Sequence, residues 1–335
     1  MVPSFDWFFY AFVRKEAVLS SQIEGAQATL VDLFAYEAQA ETGGTDAAPP
    51  SADVEEVTNY LAALDYARAE LADPKGLPLS VRLLNETHRR LMNAVRGADK
   101  LPGEIRRSQN WIGGSRPGIA AYVPPPPQLL DGVLTEFERY LHSHDELPPV
   151  IRTALLHVQF ESIHPYLDSN RRIGRLLVTL LLEHWNLLSR PLLHLSLHFK
   201  RDRGAYYRHL SAVRTHGDWE GWISYVLPAV ETIADEAVES ARALFALVHD
   251  DRARVLGIDG VSVTTLRIFE LLPRHPIITV AAVTTLADVT KPTAGKVIDQ
   301  LVAAGVLRET SGRQRDRECV YESYLRILRS DTDLR

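Results

Sequence analysis

The chain has 335 residues, 46% of them hydrophobic and 24% charged, a globular mixture that excludes wholesale disorder, collagen and coiled coil and has room for two or three folded units. A net charge of -6 excludes a protein that is basic throughout, so any contact with nucleic acid must be regional. The single cysteine, Cys319, excludes an internal disulfide framework and any cysteine-rich zinc module. The aromatic run Phe5 to Val13 is followed, not preceded, by Arg14 and Lys15, the wrong order for a signal peptide. The longest aliphatic block, Leu176 to Leu182, is far shorter than the roughly 20 residues needed to cross a bilayer. A cytoplasmic protein that makes no use of a membrane is expected.

Helical periodicity runs from Phe8 to Tyr36, with Leu19, Ile23 and Leu30 on one face and Ser20 and Glu24, four apart, on another. The segment ETGGTDAAPPSA at Glu41 to Ala52 reads as a loop. Helices are predicted near Val54 to Leu71, capped by Ser51 or Asp53, and near Ser80 to Val95, opened by Ser80. From Ser108 to Pro127, SQNWIGGSRPGIAAYVPPPP combines a Gly-Gly pair, a Pro-Gly pair and a four-proline exit, which suits a β-hairpin flap. Helices resume at Leu129 to Ser143 and Val150 to Ser162, and the apolar stripe Ile173, Leu176, Leu177, Leu180, Leu181 marks a buried one. Two further helices are predicted near Gly204 to Thr215 and Trp219 to Val248.

Beyond Gly257 the pattern is that of a small separate domain. One helix carries Val263, Leu266 and Phe269, a second spans Val280 to Leu286, and a third spans Pro292 to Ala303 between Thr290 and Gly305. Leu307 and Val320 then flank the charged turn TSGRQRDRE as two strands flank a wing, giving a winged helix-turn-helix pattern.

The stretch most informative about chemistry is HPYLDSNRRIGR at His164 to Arg175, which leaves one helix, turns through proline and enters the apolar stripe of the next. A helix start offers unpaired N–H groups and the positive end of the dipole, a natural anion site. Arg171, Arg172 and Arg175 crowd that end against the usual preference for acids, so an anion or a carboxylate must answer them. His164 supplies a candidate general base and Asp168 a hard oxygen ligand for a divalent cation, the parts that phosphoryl or nucleotidyl transfer requires; by spacing alone, a histidine capping a helix and arginines on a solvated face are the other reading.

This stretch resembles the signature loop of the Fic family of protein adenylyltransferases, His-x-Phe-x-Asp/Glu-Gly-Asn-Gly-Arg-x-x-Arg. RKEAVLSSQIEG at Arg14 to Gly25 is similar to the family's inhibitory helix, Ser/Thr-x-x-x-Glu-Gly/Asn, with Ser20 and Glu24 in place, and SQNWIGG through VPPPP resembles its flap. The resemblance implies a mainly α-helical Fic core with a β-hairpin flap, in the order 1–50 for an N-terminal inhibitory region, 51–250 for the catalytic core and 257–330 for the winged helix. It further implies transfer of AMP from ATP, with Mg2+, to a Ser, Thr or Tyr hydroxyl of a protein, held in check by Glu24, whose carboxylate is expected to pair with Arg175 at the arginine end of the signature helix.

Carried over by position, His164 deprotonates the acceptor and Asp168 holds Mg2+. Asn170 and Arg172 serve the α- and β-phosphates, Arg175 reaches the γ-phosphate, and Ser169, Arg171 and Gly174 complete the nucleotide loop. Tyr206, in a Tyr-Tyr-x-x-Leu segment, is a candidate for the adenine pocket or an ordinary aromatic on a helix face. Asn110, Trp111, Ile112, Gly113, Gly114 and Ser115 form the flap segment that docks a target. Ser169 and Arg171 stand where the family pattern has glycine, the residue that permits positive φ and close backbone approach to phosphate. Either Arg171 adds a charged contact to the nucleotide, or the pocket suits another nucleotide, or catalysis is weak and the protein is a regulator; removal of AMP is a further alternative.

His194 and His198, four apart, lack a third ligand placed with them and read as surface or core histidines. In the C-terminal domain Lys291, Thr293, Lys296 and Gln300 line one face of the third helix, and Arg308, Arg313, Arg315 and Arg317 cluster in the wing. DNA contact and docking of a protein partner, including a second copy in a homodimer, are both open, because Glu309, Asp316 and Glu318 intersperse the arginines.

Overall fold

The structure, a computed structural model, describes residues 6–41, 49–95, 97, 99–310, 317–330 and 332–334. Its described residues form fourteen α-helices and three short strands. In order these are α1 (Asp6–Ile23), α2 (Leu30–Glu41), α3 (Ala52–Ala72), α4 (Val81–Leu91), α5 (Pro127–Leu141), α6 (Pro149–Ile163), α7 (Asn170–His184), α8 (Leu195–Arg201), α9 (Arg203–His216), α10 (Trp219–Leu256), α11 (Val263–Leu271), β1 (Ile277–Thr279), α12 (Val280–Ala287), α13 (Lys291–Ala303), β2 (Arg308–Glu309), β3 (Glu318–Val320) and α14 (Glu322–Leu328).

Local sequence explains most of the boundaries. Ser80 caps α4 by accepting from the Leu83 N–H at 3.2 Å, Asp202 caps α9 through the Ala205 N–H at 2.7 Å, and Thr279 caps α12 through the Ala282 N–H at 3.1 Å. Prolines open α5 and α6, where a missing N–H costs nothing. Ser51 rather than Asp53 starts α3, since its hydroxyl accepts from the Val54 N–H while the Asp53 carboxylate takes the Gln27 N–H. The continuous helix expected from Phe8 to Tyr36 is broken into α1 and α2: Gly25 turns the chain at φ +102, and Thr29 and Asp32 exchange hydrogen bonds to start α2. α8 and α14, seven residues each, were not predicted, being too short to show a period. Most of the loop expected at 41–52 lies outside the described residues.

The fold divides into two compact units. One comprises Leu19–Ala26 and Glu55–Asp235. Its centre is α7, packed along α6, with α4 on α7 and with α5 and α9 on α6. Ile173, Leu176, Leu177, Leu180 and Leu181 are all at most 1% exposed, and each such side chain contributes about 1.5–3 kcal/mol by leaving water. That rigid helix fixes the loop preceding it.

The other unit is built from the N-terminal segment through Val18, Gln27–Val54 and the segment from Glu236 onward. There Trp7 packs edge-on against Phe245 and Tyr324, and α2 lies against β1 and α12. Helices α11, α12 and α13 pack on one another, with α12 against β1 of a three-stranded antiparallel sheet of order β1-β3-β2, in which Ile277 lies opposite Val320 and Arg308 opposite Val320 on the other side. The order here is helix, strand, helix, helix, strand, strand: α11, α12 and α13 stand where three helices were expected, β1 between the first two was not expected from sequence, and the turn at 311–316 lies outside the described residues.

Candidate active site

Two left-handed residues shape the loop between α6 and α7. His164 ends α6 at φ +50 with its N–H on the Phe160 carbonyl, and Ser169 precedes α7 at φ +57. Left-handed backbone is costly for residues with a Cβ, so surrounding contacts must impose it. Asn170 does so by donating from Nδ2 to the Tyr166 carbonyl and accepting the Tyr166 N–H on Oδ1, both at 2.8 Å. The Tyr166 ring stacks on His88 at 3.9 Å and its hydroxyl donates to Asn85 at 2.9 Å. His88 accepts the Gly103 N–H on Nδ1 at 2.9 Å, which leaves Nε2–H to donate to the Asp168 carbonyl at 3.2 Å. Burial lowers its imidazole to about 4, so the neutral tautomer holds the loop.

The loop opens onto a cavity of about 300 Å3 lined by His164, Asp168, Ser169, Asn170, Arg171 and Arg172, with Glu24 and Glu56 and, from the flap, Trp111, Ile112 and Gly113. Arg175 stands beside it, 2% exposed, donating from Nε to Ser20 Oγ at 2.9 Å, from Nη2 to the Ser20 carbonyl at 2.8 Å and from Nη1 to Glu24 at 2.9 Å. The pairing of Glu24 with Arg175 expected from sequence is therefore present. Arg171 also donates to Glu24, at 3.2 Å, and to the Tyr207 hydroxyl at 3.1 Å, with its guanidinium over the Tyr207 ring. Burial pushes the Glu24 carboxyl up, but the guanidiniums of Arg175 and Arg171 outweigh that and hold it below the usual range. Arg172 is answered by the buried Glu56 at 3.2 Å and donates to Ser169 Oγ, whose own proton goes to Met92 Sδ. With its hydroxyl so engaged, Ser169 does not cap α7, whose first turn is left to an anion.

His164 carries a partly buried imidazole lowered to about 3, first by burial and then by the positive charges of Arg171 and Arg214, so it is neutral and able to accept a proton at pH 7. Asp168 is exposed, with Oδ1 on the Ser169 N–H at 2.5 Å; Oδ2 has no hydrogen bond or ion pair among the described residues. No cluster of three or more His, Cys, Asp or Glu suited to a metal occurs among those residues, His194 and His198 included. One open carboxylate beside an anion cradle fits Mg2+, which takes one or two carboxylates together with substrate phosphates.

The flap is a hairpin closed by a single bridge, the Ile112 N–H on the Tyr122 carbonyl at 2.8 Å and the reverse bond at 3.2 Å, with a 3-10 turn at Pro117–Ile119. Gly114 and Ser115 sit in its turn and do not line the cavity. Asn110 reaches back, donating to the Tyr166 carbonyl at 2.9 Å.

Two further expected site residues, Tyr206 and Gly174, also do not line the cavity. Tyr206 is wholly buried, its hydroxyl donating to His157 Nε2 at 2.9 Å and its ring stacked on Phe199 at 4.3 Å, and the neighbouring Tyr207 faces the arginines instead. Gly174 turns from the cavity toward α6: a Cβ there would stand 2.5 Å from Glu161 Oε1, and its carbonyl takes His157 Nδ1–H at 3.0 Å. Glu161 itself is fully buried, with neither carboxylate oxygen hydrogen-bonded among the described residues and Arg214 4.0 Å away; burial pushes its carboxyl up. Sequence reading missed Glu56, His88, Arg106, Glu161 and Tyr207. Only His88 carried a signal, since Leu84, His88 and Leu91 share the apolar face of α4.

Residues 1–69 match the Fic/DOC family N-terminal model and residues 78–182 the Fic/DOC family model, together more than half of the chain. Over 175 residues, 52% of this chain, it is 30% identical to the protein adenylyltransferase Fic of Drosophila erecta and to that of Drosophila melanogaster. Those matches cover 32% of the Drosophila chains, so the similarity spans about a third of their length. Among solved structures, a Fic family protein from Desulfovibrio desulfuricans G20 aligns over 93% of this chain and 87% of its own with a TM-score of 0.57 at 18% identity. Fic-1 from C. elegans aligns over 72% of this chain and 65% of that one, with a TM-score of 0.52 at 21% identity. These two likenesses establish the fold, a mainly helical Fic architecture.

Proposed function

Since the chain belongs to the Fic/DOC family, we propose that it transfers AMP from ATP to a Ser, Thr or Tyr hydroxyl of a protein and that Glu24 keeps the site closed until nucleotide displaces it from Arg175. The observation that carries this reading is the salt bridge itself: the arginine best buried beside the anion cradle is occupied by a carboxylate from residues 19–26 of the same unit. In the proposed reaction the acceptor oxygen attacks the α-phosphorus, its proton passes to the neutral imidazole of His164, and the bond to the bridging oxygen breaks to release pyrophosphate. The first turn of α7, Asn170 and Arg172 hold the phosphates. Bound anionic nucleotide would offset the charges of Arg171 and Arg214 and so raise the basicity of His164. Asp168 would hold Mg2+, which supplies charge neutralisation on the phosphates.

The test is incubation of the protein and of Glu24→Gly with ATP labelled at the α-phosphorus or at the γ-phosphorus. Label from the α position alone should enter protein. Label entering from the γ position, or none entering a folded variant that binds ATP, would refute the reading.

A second reading is favoured by Arg171. By giving Glu24 a second cation and stacking on Tyr207, it supports a site closed by default, in a weak enzyme acting mainly as a nucleotide-responsive regulator. The two readings differ in basal labelling of the unmodified chain. In the C-terminal segment 257–330, proposed as a winged helix, Lys291 and Lys296 are exposed on α13, while Arg308 pairs with Glu322 at 3.0 Å and Arg317 with Asp299 at 2.9 Å. Pairing of those arginines supports docking of a protein partner over DNA contact.

A further inference from the structure

One bridge is little to hold a hairpin, and the two arms of the flap approach its base through segments that cannot form a ladder. The exit Pro124-Pro-Pro-Pro127 has no N–H to donate, so this arm can only accept and cannot exchange paired ladder bonds with the facing arm, whose Gln109 side chain donates to the Pro124 carbonyl at 2.9 Å. Arg106 stands in for the missing ladder. Its side chain, 2% exposed, donates from Nη1 to the Ser108 carbonyl at 3.2 Å on one arm and from Nη2 to the Pro125 carbonyl on the other. Nε donates to the His164 carbonyl at 2.9 Å, and the Arg106 N–H binds the Pro165 carbonyl at 2.9 Å.

Among the described residues no carboxylate pairs with this guanidinium. A buried cation without a counter-charge is expensive, and a packing role alone would be filled at lower cost by an apolar side chain. What arginine supplies here is a rigid fork of five donors, able to tie three chain segments at fixed spacing. One of those segments is the backbone of His164, held left-handed at φ +50 where the carbonyls of α6 run out of helical partners.

We infer that Arg106 is the positioning residue that registers the flap against His164, so that a target segment lying along the flap brings its hydroxyl to the imidazole. The inference rests on the proposed AMP transfer and assigns Arg106 to the acceptor side of that reaction, apart from nucleotide binding. Asn110, on the Tyr166 carbonyl, and Tyr122, whose hydroxyl donates to the Ser162 carbonyl at 3.0 Å, add to the same seam.

Arg106→Lys keeps the charge and loses the fork; Arg106→Gln loses both the charge and most of the reach. Both are to be compared in a Glu24→Gly background by thermal melting, ATP calorimetry, transfer from α-labelled ATP at saturation, and amide exchange at Ile112 and Tyr122. Expected are cooperative melts, ATP affinity within about threefold of the parent, exchange at both amides faster by about tenfold or more, and transfer slower by about tenfold or more, as a misplacement on the order of 1 Å produces. Arg106→Lys should fall between the parent and Arg106→Gln.

Unchanged exchange at the two amides, or ATP affinity falling in step with transfer, would overturn the assignment. So would failure of both variants to melt cooperatively, which would make Arg106 a residue of the general fold. If the parent labels no protein, the AMP-transfer reading fails by itself, while amide exchange and ATP affinity still decide whether Arg106 registers the flap.

Discussion

Removing the Glu24 carboxylate should raise activity and lower stability at once. Glu24 accepts from Arg175 at 2.9 Å and from Arg171 at 3.2 Å, and a hydrogen bond to a charged group contributes about 1.5–3 kcal/mol. A γ-phosphate that takes Arg175 must first displace that bond, so its loss by substitution should strengthen ATP binding by roughly 10- to 150-fold. Glu24 retains 23% of its side-chain exposure, and solvent screening puts the expectation toward the lower end. In the unliganded protein the same change leaves Arg175, its side chain 1% exposed, with two neutral acceptors on Ser20 and no paired carboxylate, at a cost of about 3 kcal/mol. Glu24→Gln preserves the shape and isolates the charge, and Glu24→Gly removes the acceptor as well. Calorimetry with ATP and Mg2+, urea unfolding and α-label transfer together form the assay, and nucleotide should stabilise the variants more than it stabilises the parent. A folded variant with unchanged ATP affinity, or one more stable than the parent without nucleotide, would refute the argument.

Three further outcomes are expected. His164→Ala should slow transfer by about 100-fold or more while leaving ATP affinity nearly intact, because the base acts on the acceptor proton; full activity would remove His164 from the mechanism. Arg171→Gly should tighten ATP binding, since it removes one of the two cations on Glu24 and restores backbone access at the helix start, whereas Ser169→Gly should add little because Ser169 already holds φ +57; tighter binding by the parent would show that the guanidinium serves the nucleotide. His88 and His157, both buried and lowered to about 4, bind fewer protons folded than unfolded, so stability should be flat above about pH 6.5 and fall as pH drops toward 4. At pH 5 each should cost about 2 kcal/mol in urea unfolding, and an unchanged midpoint from pH 7 to 5 would contradict their buried neutral state.

What sequence alone determined is what lies within a few residues of itself. The loop His164 to Arg175 is contiguous, its helix is announced by a five-residue apolar stripe, and the Ser80 cap acts over three residues; all of these formed where the pattern placed them. Glu24 and Arg175 are 151 positions apart, yet their opposite charges in apolar surroundings and the family resemblance were enough to pair them.

Tertiary structure decided the rest, because a helix face states that something packs there but not what. Adjacent tyrosines went opposite ways, Tyr206 inward to His157 and Tyr207 to Arg171, a choice set by where α6 and α7 meet α9. Arg171 turned to Glu24, and Glu56 answered Arg172 from 116 positions away. The Gly25 turn, at φ +102, ended α1 although the hydrophobic spacing runs on to Leu30, which is itself buried in α2. Arg106 gave no sign of its role: its side-chain acceptors are backbone carbonyls 2, 19 and 58 positions away, and carbonyls leave no trace in a sequence.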